Sequence, residues 1–243
     1  MTIKVFSDRE SLGAHAGAKG AESIKSAIQE KGEANIILAT GQSQFDTLEA
    51  LIQDEQIDWS CVRMFHLDEY IGMPITHMAS FRKYLTERFL DKVGPLKEVI
   101  LINGENNALE ECQRLGEIII KHPIDVGFVG IGENGHLAFN DPPANYDIED
   151  PYIVVDLDLD CRKQQMGEGW FNHIDEVPLQ AISMSIKQIM KSKIIICAVP
   201  DERKAQAVKN CMTLPVSNKY PASILQNHAA CFCYFDKGSA SLL

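Results

Sequence analysis

Ile124-Asp125-Val126-Gly127-Phe128-Val129 runs directly into Gly130-Ile131-Gly132-Glu133-Asn134-Gly135-His136-Leu137-Ala138-Phe139-Asn140-Asp141-Pro142-Pro143. The first six residues are mostly apolar and read as a strand; the rest reads as a long loop. Gly130, Gly132 and Gly135 satisfy G-x-G-x-x-G, the dinucleotide-binding pattern. That pattern works only where a helix starts at once, so that a pyrophosphate meets its N-terminus. Here two prolines follow the last glycine within eight residues, which rejects a dinucleotide site. The better reading is a glycine-rich loop bringing His136 and Asp141 to one cleft. His136 could carry a proton near neutral pH, oriented by the Asp141 carboxylate. A histidine that only hydrogen-bonds its own loop fits these residues equally well.

Outward from this stretch, short β-branched runs alternate with amphipathic ones. Strands are expected at Ile3–Phe6, Asn35–Ala39, Val62–Leu67, Val99–Ile102, Tyr152–Leu157, Ala181–Met184 and Lys193–Val199, with Ala230–Phe235 closing the sheet. Helices are expected at Ser11–Gln29, Phe45–Ile52, Ala79–Phe89, Ala108–Lys121 and Asp201–Lys209. In the first, Leu12, Ala16, Gly20, Ile24, Ala27 and Ile28 recur at helical spacing; in the fourth, Leu109, Cys112, Leu115 and Ile118 share a face. The alternation predicts an α/β fold: a single doubly wound, mainly parallel sheet with helices on both faces, Rossmann-like. No repeat or Pro/Gly-rich linker divides residues 1–243, so one domain is expected. Such sheets bind ligands beyond the carboxyl ends of their strands, at a switch in strand order. The loops after Asn35–Ala39, Val62–Leu67 and Ile124–Val129 are therefore the ones to read for chemistry.

The formal net charge of -11, with no Lys/Arg stripe, argues against nucleic acid or an anionic membrane as partner. No apolar run approaches the ~20 residues that span a bilayer. The seven cysteines lack paired spacing and no leader is visible at Met1–Phe6, so reduced thiols and a cytoplasmic location are expected. The Cys231 and Cys233 sulfurs should share one face of a strand, with a metal pair there disfavoured.

Val62–Leu67 runs out into Asp68-Glu69-Tyr70. A carboxylate at the tip of a buried strand is desolvated, which lifts its pKa toward that of a usable base. Equally, Asp68 could cap the next segment with Glu69 solvated. Thr40-Gly41-Gln42-Ser43 places a glycine and hydroxyls just before a helix, a plausible phosphate cradle, although Ser43 also suits a plain N-cap. Lys204 would add a cation from a neighbouring strand.

Together, Ala39-Thr40-Gly41-Gln42-Ser43, Leu67-Asp68-Glu69-Tyr70, the GIGENGHLAFNDP stretch and Asp201-Glu202-Arg203-Lys204-Ala205 resemble the glucosamine-6-phosphate deaminase/isomerase family, related to the 6-phosphogluconolactonases. The resemblance covers nearly the whole chain. It implies that Asp68 moves a proton between C2 and C1 of an open-chain sugar. It implies that His136, helped by Asn134 and Asp141, assists ring opening. Thr40, Gly41, Gln42, Ser43 and Lys204 fall on phosphate-contacting positions. The implied reaction converts glucosamine 6-phosphate to fructose 6-phosphate and ammonia, with no metal or organic cofactor. The partner would be a small-molecule sugar phosphate, with a homo-oligomer possible.

Some positions depart from the family pattern. Asp141 stands where Glu is usual, so its carboxylate is expected to draw back from His136 by one C–C bond, about 1.5 Å. Asn134 replaces an acid found in some members. The family's phosphate arginine has no counterpart near Glu168-Gly169, where Arg162 and Lys163 are the nearby cations. Open alternatives are isomerisation or deamination of another sugar phosphate such as galactosamine 6-phosphate, a 6-phosphogluconolactonase, and a non-catalytic sugar-phosphate sensor. Leu67-Asp68-Glu69-Tyr70 counts against the lactonase, which typically carries Gly-Asp-Glu-Arg there.

Overall fold

A computed structural model describes residues Met1–Leu243. The first half carries β1 (Thr2–Phe6), α1 (Arg9–Lys31), β2 (Ala34–Leu38), α2 (Phe45–Ile52), β3 (Val62–His66), β4 (Asp68–Tyr70), α3 (Phe81–Leu85) and β5 (Glu98–Ile100). The second half carries α4 (Ala108–Ile119), β6 (Val126–Val129), β7 (Tyr152–Asp156), α5 (Leu159–Gly167), β8 (Gln180–Met184), α6 (Ile186–Met190), β9 (Ile194–Val199), α7 (Ala205–Thr213) and β10 (Cys231–Asp236).

Seven strands form one sheet in the order β1-β10-β9-β6-β2-β3-β5, with every pairing parallel. From β2 the chain winds outward through β3 to β5, then returns to lay β6 on the other side of β2. That reversal opens a crevice at the carboxyl ends of β2 and β6, where ligands of such sheets bind.

Side chains alternate between two cores. Ile36 and Leu38 of β2 join one core with Leu12 and Ile24 of α1 and Leu48 and Leu51 of α2. Ile37 joins the other, with Leu115 and Ile119 of α4, Ile189 of α6 and Val208 of α7. Both faces are covered, which is why the strands carry few polar residues. Asp8 caps α1 by accepting from the Ser11 N–H, and Gly32 ends it at φ 81. Helices α1 and α2 touch closely: a Cβ on Gly13 would lie 2.2 Å from the Asp46 Cβ.

Several expectations need correction. Tyr152–Leu157 and Ala181–Met184 are strands, but outside the parallel sheet. They form β7 and β8 of a separate antiparallel sheet, β4-β8-β7. Its two faces are both buried, one on the main core through Tyr152, Ile182 and Met184, the other against Phe139, Leu157 and Phe171. Covered on both sides, these strands look like central ones in sequence. Strand β10 lies inside the large sheet between β1 and β9, and β1 is the edge. On α4, Leu109 is 73% exposed, and the inward positions go to Glu111, Leu115, Gly116 and Ile119. Glu111 can point inward because it accepts from the Asn103 N–H at 2.7 Å and pairs with Arg114 at 2.6 Å. The Ala79–Phe89 helix shortens to α3 followed by a wide π turn, Thr86–Leu90. The Asp201–Lys209 helix begins as a tight turn, Glu202–Lys204, before α7. Helix α5 was not foreseen.

The Cys231 and Cys233 sulfurs do share a face, 3.6 Å apart, and all seven cysteines are free thiols. No helix is long and apolar enough to cross a membrane.

Candidate active site

The crevice holds an open cavity of about 530 Å³, lined from the loops after β2, β3 and β6 and from α5. Of the residues singled out in the sequence, Thr40, Gly41, Ser43, Asp68, His136 and Lys204 line it. Gln42, Asn134 and Asp141 do not. Gln42 borders an adjoining cleft with Arg9 and Arg203, and its amide donates to the Glu168 carbonyl at 2.7 Å.

Asp68 opens β4, just past the point where the chain leaves the parallel sheet, and is 6% exposed. No protein donor reaches its carboxylate; burial, reinforced by the Glu69 charge, pushes its pKa up to about 8. Glu69, its neighbour, is fully buried and is not solvated as one sequence reading allowed. Its carboxylate accepts from Ser80 Oγ at 2.9 Å and from the Tyr70, Phe81 and Arg82 N–H groups at 2.9, 3.2 and 2.9 Å. Burial still raises its pKa, and these four donors oppose that. Glu69 thus ties the start of α3 to β4 and leaves Asp68 as the member of the pair that lines the cavity.

His136 sits on the β6 loop, where Gly132 is obligatory: a Cβ there would lie 2.2 Å from the imidazole. The loop is braced from both sides. Phe139 N–H donates to Ser183 Oγ at 3.1 Å, and the Asn140 amide donates to the carbonyls of Leu137 and Met184 at 2.8 and 2.9 Å. With Ala138 in the left-handed region at φ 51, the chain folds back on itself. This compactness brings Asp141 closer than its shorter side chain predicts, with Oδ1 3.2 Å from His136 Nδ1. The approach is not aligned as a hydrogen bond, and the buried Nδ1 has no hydrogen-bond partner.

Asn134 acts from behind. Its amide donates to Asp141 Oδ1 and Asp158 Oδ2, both at 3.0 Å, and its oxygen accepts the His136 N–H at 3.0 Å. Burial alone would raise Asp141, but His136, Asn134 and the Asp158 N–H outweigh it and hold the carboxyl below its ordinary pKa. Ligand atoms of His136, Asp141 and Cys161 lie within 4.8 Å of one another, a set that could hold a metal. Burial lifts the Cys161 thiol well above its usual pKa, however, and a metal needs the thiolate.

At the β2 loop, Gly41 has φ 95, a conformation suited to glycine. It leads into a tight turn, Gln42–Gln44, where the Gln44 N–H donates to the Gly41 carbonyl at 3.2 Å, and then directly into α2. Tyr84 Oη donates to the Gly41 carbonyl at 2.9 Å, and the Gln44 amide donates to Ser43 Oγ at 3.1 Å and the Ala198 carbonyl at 3.2 Å, fixing the loop. Lys204, 6% exposed, is the one lysine or arginine lining the cavity, and it makes no protein hydrogen bond or ion pair. Burial lowers its pKa, and Glu168 and Glu133 oppose that. Neither cation offered for the missing arginine reaches the cavity. Arg162 donates to the carbonyls of Ile174 and Val177, and Lys163 pairs with Asp160. Sequence reasoning also missed Gln164 and Gln165, which α5 brings into the lining. Their weakly amphipathic segment gave no signal beyond its unusual Gln-Gln pair.

The family described as glucosamine-6-phosphate isomerases/6-phosphogluconolactonase matches residues 7–233. A glucosamine-6-phosphate deaminase of Listeria monocytogenes is 38% identical over 231 residues, 94% of this chain and 96% of that protein. One from Streptococcus equi subsp. equi is 35% identical over 228 residues, 93% and 95% of the two chains. Among solved structures, a monomeric glucosamine-6-phosphate deaminase superposes with TM-score 0.90 at 30% identity over 100% of both chains. The 6-phosphogluconolactonase of Trypanosoma brucei, 18% identical with TM-score 0.79 over 100% of this chain and 98% of its own, shares the fold. The chain belongs to the glucosamine-6-phosphate isomerase and 6-phosphogluconolactonase family.

Proposed function

We propose that this protein converts glucosamine 6-phosphate to fructose 6-phosphate and ammonia. The observation that carries the reading is a buried carboxyl, Asp68, left without hydrogen-bond donors in the same cavity as His136 and a bare Lys204. His136, oriented by Asp141 and Asn134, moves the proton that opens the sugar ring. Asp68 then withdraws the C2 hydrogen, and the electron pair forms a C1–C2 double bond as the aldehyde oxygen takes a proton. The C2 ammonium then gives up one proton and Asp68 returns the withdrawn C2 proton to C1, which leaves a protonated imine at C2; water adds there and ammonia leaves. The Thr40–Ser43 loop, with Thr40, Gly41 and Ser43 facing the cavity and Gln42 bracing it from the side, holds the phosphate together with Lys204.

The raised pKa of Asp68 fits this role. A substrate ammonium on C2 would stabilise the ionised carboxylate where the base is needed. The adjacent carbonyl acidifies the C2 hydrogen, so this scheme calls on no metal or organic cofactor. We take residues 1–243 as one domain, since the small sheet shares the main core. Free thiols even at 3.6 Å separation support a reducing, cytoplasmic setting.

The test is incubation with glucosamine 6-phosphate and, separately, galactosamine 6-phosphate, following ammonia and ketose phosphate. Equal release of both products from the first sugar is expected. Tight binding of both sugars without turnover would overturn the reading in favour of a sensor.

A further inference from the structure

Beside the β2 loop stands an acid that the proposed chemistry does not use. Glu168 follows the last turn of α5 and lines both the main cavity and the adjoining cleft with Ser43 and Lys204. Its carboxylate is held in place: Oε1 accepts from the Gln164 amide at 3.1 Å, and Oε2 from Trp170 Nε1 at 3.3 Å. Oε2 faces the glycine of the loop, where a Cβ on Gly41 would lie 3.6 Å from it. The Glu168 backbone carbonyl is pinned from the same loop by Gln42.

The surrounding cations do not cancel this charge. Arg203 is engaged by Asp201 at 2.9 Å and Glu133 at 3.5 Å. Arg9 is engaged by Asp46 at 2.7 Å and the Gln42 carbonyl at 3.1 Å. Lys204 remains, and no direct ion pair joins it to Glu168, although the acid's field favours its charged form. An anion entering between the loop and Lys204 therefore meets a fixed negative charge on the third side.

We propose that Glu168 is a specificity-determining residue that opposes the phosphate group at the Thr40–Ser43 and Lys204 site and so sets a weak grip on sugar phosphates. This rests on the phosphate placement proposed above. Like-charge juxtaposition lowers affinity for every anion at that end, while Glu168 takes no part in the proton transfers. A site tuned this way holds its substrate loosely and does not saturate at low concentration.

The experiment measures binding of inorganic phosphate by calorimetry, and steady-state kinetics with glucosamine 6-phosphate, for the full chain and two variants. Glu168→Gln keeps the shape and an acceptor but removes the charge. Its Kd for phosphate and its KM should both fall about tenfold, with kcat within about twofold. Trp170→Phe removes only a hydrogen bond to the carboxylate, and should leave Kd within about twofold. Equal phosphate affinity in the parent and Glu168→Gln would overturn the role of Glu168 while leaving the phosphate site intact. A Trp170→Phe effect as large as that of Glu168→Gln would make the contribution structural and also overturn it. Failure of phosphate to bind either protein would remove the anion site itself, and this inference with it.

Discussion

Asp68 and Glu69 are adjacent, equally hidden from solvent and oppositely treated. Around Glu69 the fold gathers a hydroxyl and three N–H groups, with the Arg82 guanidinium 3.6 Å away. Around Asp68 it supplies no hydrogen-bond donor, only burial and a like charge. Lys204 is likewise buried without a hydrogen bond or ion pair, although the Glu168 and Glu133 charges favour its ammonium form. Burial by itself therefore does not separate a structural charge from a working one. A buried charge costs several kcal/mol unless paired, so one left bare in a cavity points to a ligand that completes it.

The largest effect should come from Asp68→Asn. With Asp68 as the base, turnover falls by about 10²–10⁴-fold, the range of lost proton-transfer catalysts. Exchange of the C2 hydrogen with solvent deuterium, followed by NMR, should stop, while binding of glucosamine 6-phosphate changes by less than about threefold. Glu69→Gln sharpens the contrast. It leaves part of a donor cluster unsatisfied, at a cost of about 1–3 kcal/mol of stability. Its loss of activity should track the loss of folded protein. C2 exchange that persists in Asp68→Asn places the base elsewhere.

Next in size is Lys204→Met, which keeps the unbranched apolar stem, one atom shorter, and removes the charge. A lost charged hydrogen bond of about 1.5–3 kcal/mol predicts a KM for glucosamine 6-phosphate raised by roughly 10–150-fold. Because the wild-type ammonium has no protein partner, the melting temperature should not fall. A destabilised variant with unchanged KM would make Lys204 a structural cation and break the comparison at its second member.

How much of this was legible follows from the range of the forces involved. The parallel sheet was readable because its strands are apolar and its helices periodic, both local properties. The β6 loop was readable because its glycines, histidine and asparagines have narrow uses. The opposite fates of Asp68 and Glu69 were not readable, since they depend on Ser80 and Arg82 arriving from 11 and 13 residues away. The contact between His136 and Asp141 was misjudged from side-chain length alone. The curl of the backbone at Ala138 makes up the missing carbon, and no residue-type rule announces a left-handed alanine. The second sheet escaped because strands covered on both faces look alike whichever sheet they join. Helix α5 is weakly amphipathic, so its contribution of Gln164, Gln165 and Glu168 to the cavity had no pattern to betray it.

The smallest expected effect concerns stability, and it tests the bareness of Asp68 without any substrate. Its pKa is raised from 3.8 to about 8 in the folded chain, so between those values the folded state holds a proton that the unfolded state has released. Stability from this group is then fully present below about pH 4 and is lost as pH rises through about 8. Asn cannot ionise, so Asp68→Asn should come nearest the parent at or below about pH 4 and exceed it at pH 9. Each kcal/mol recovered is worth about 2–4 °C in a chain of this length. A melting temperature higher by several degrees at pH 9, shrinking toward zero at about pH 4, is the expected calorimetric result. Glu69→Gln should melt below the parent at both pH values, because its four donors lose part of their acceptor whatever the solvent pH. If Asp68→Asn instead melts lower at pH 9, the carboxylate has a stabilising partner in the folded chain, and the distinction between the two neighbours collapses.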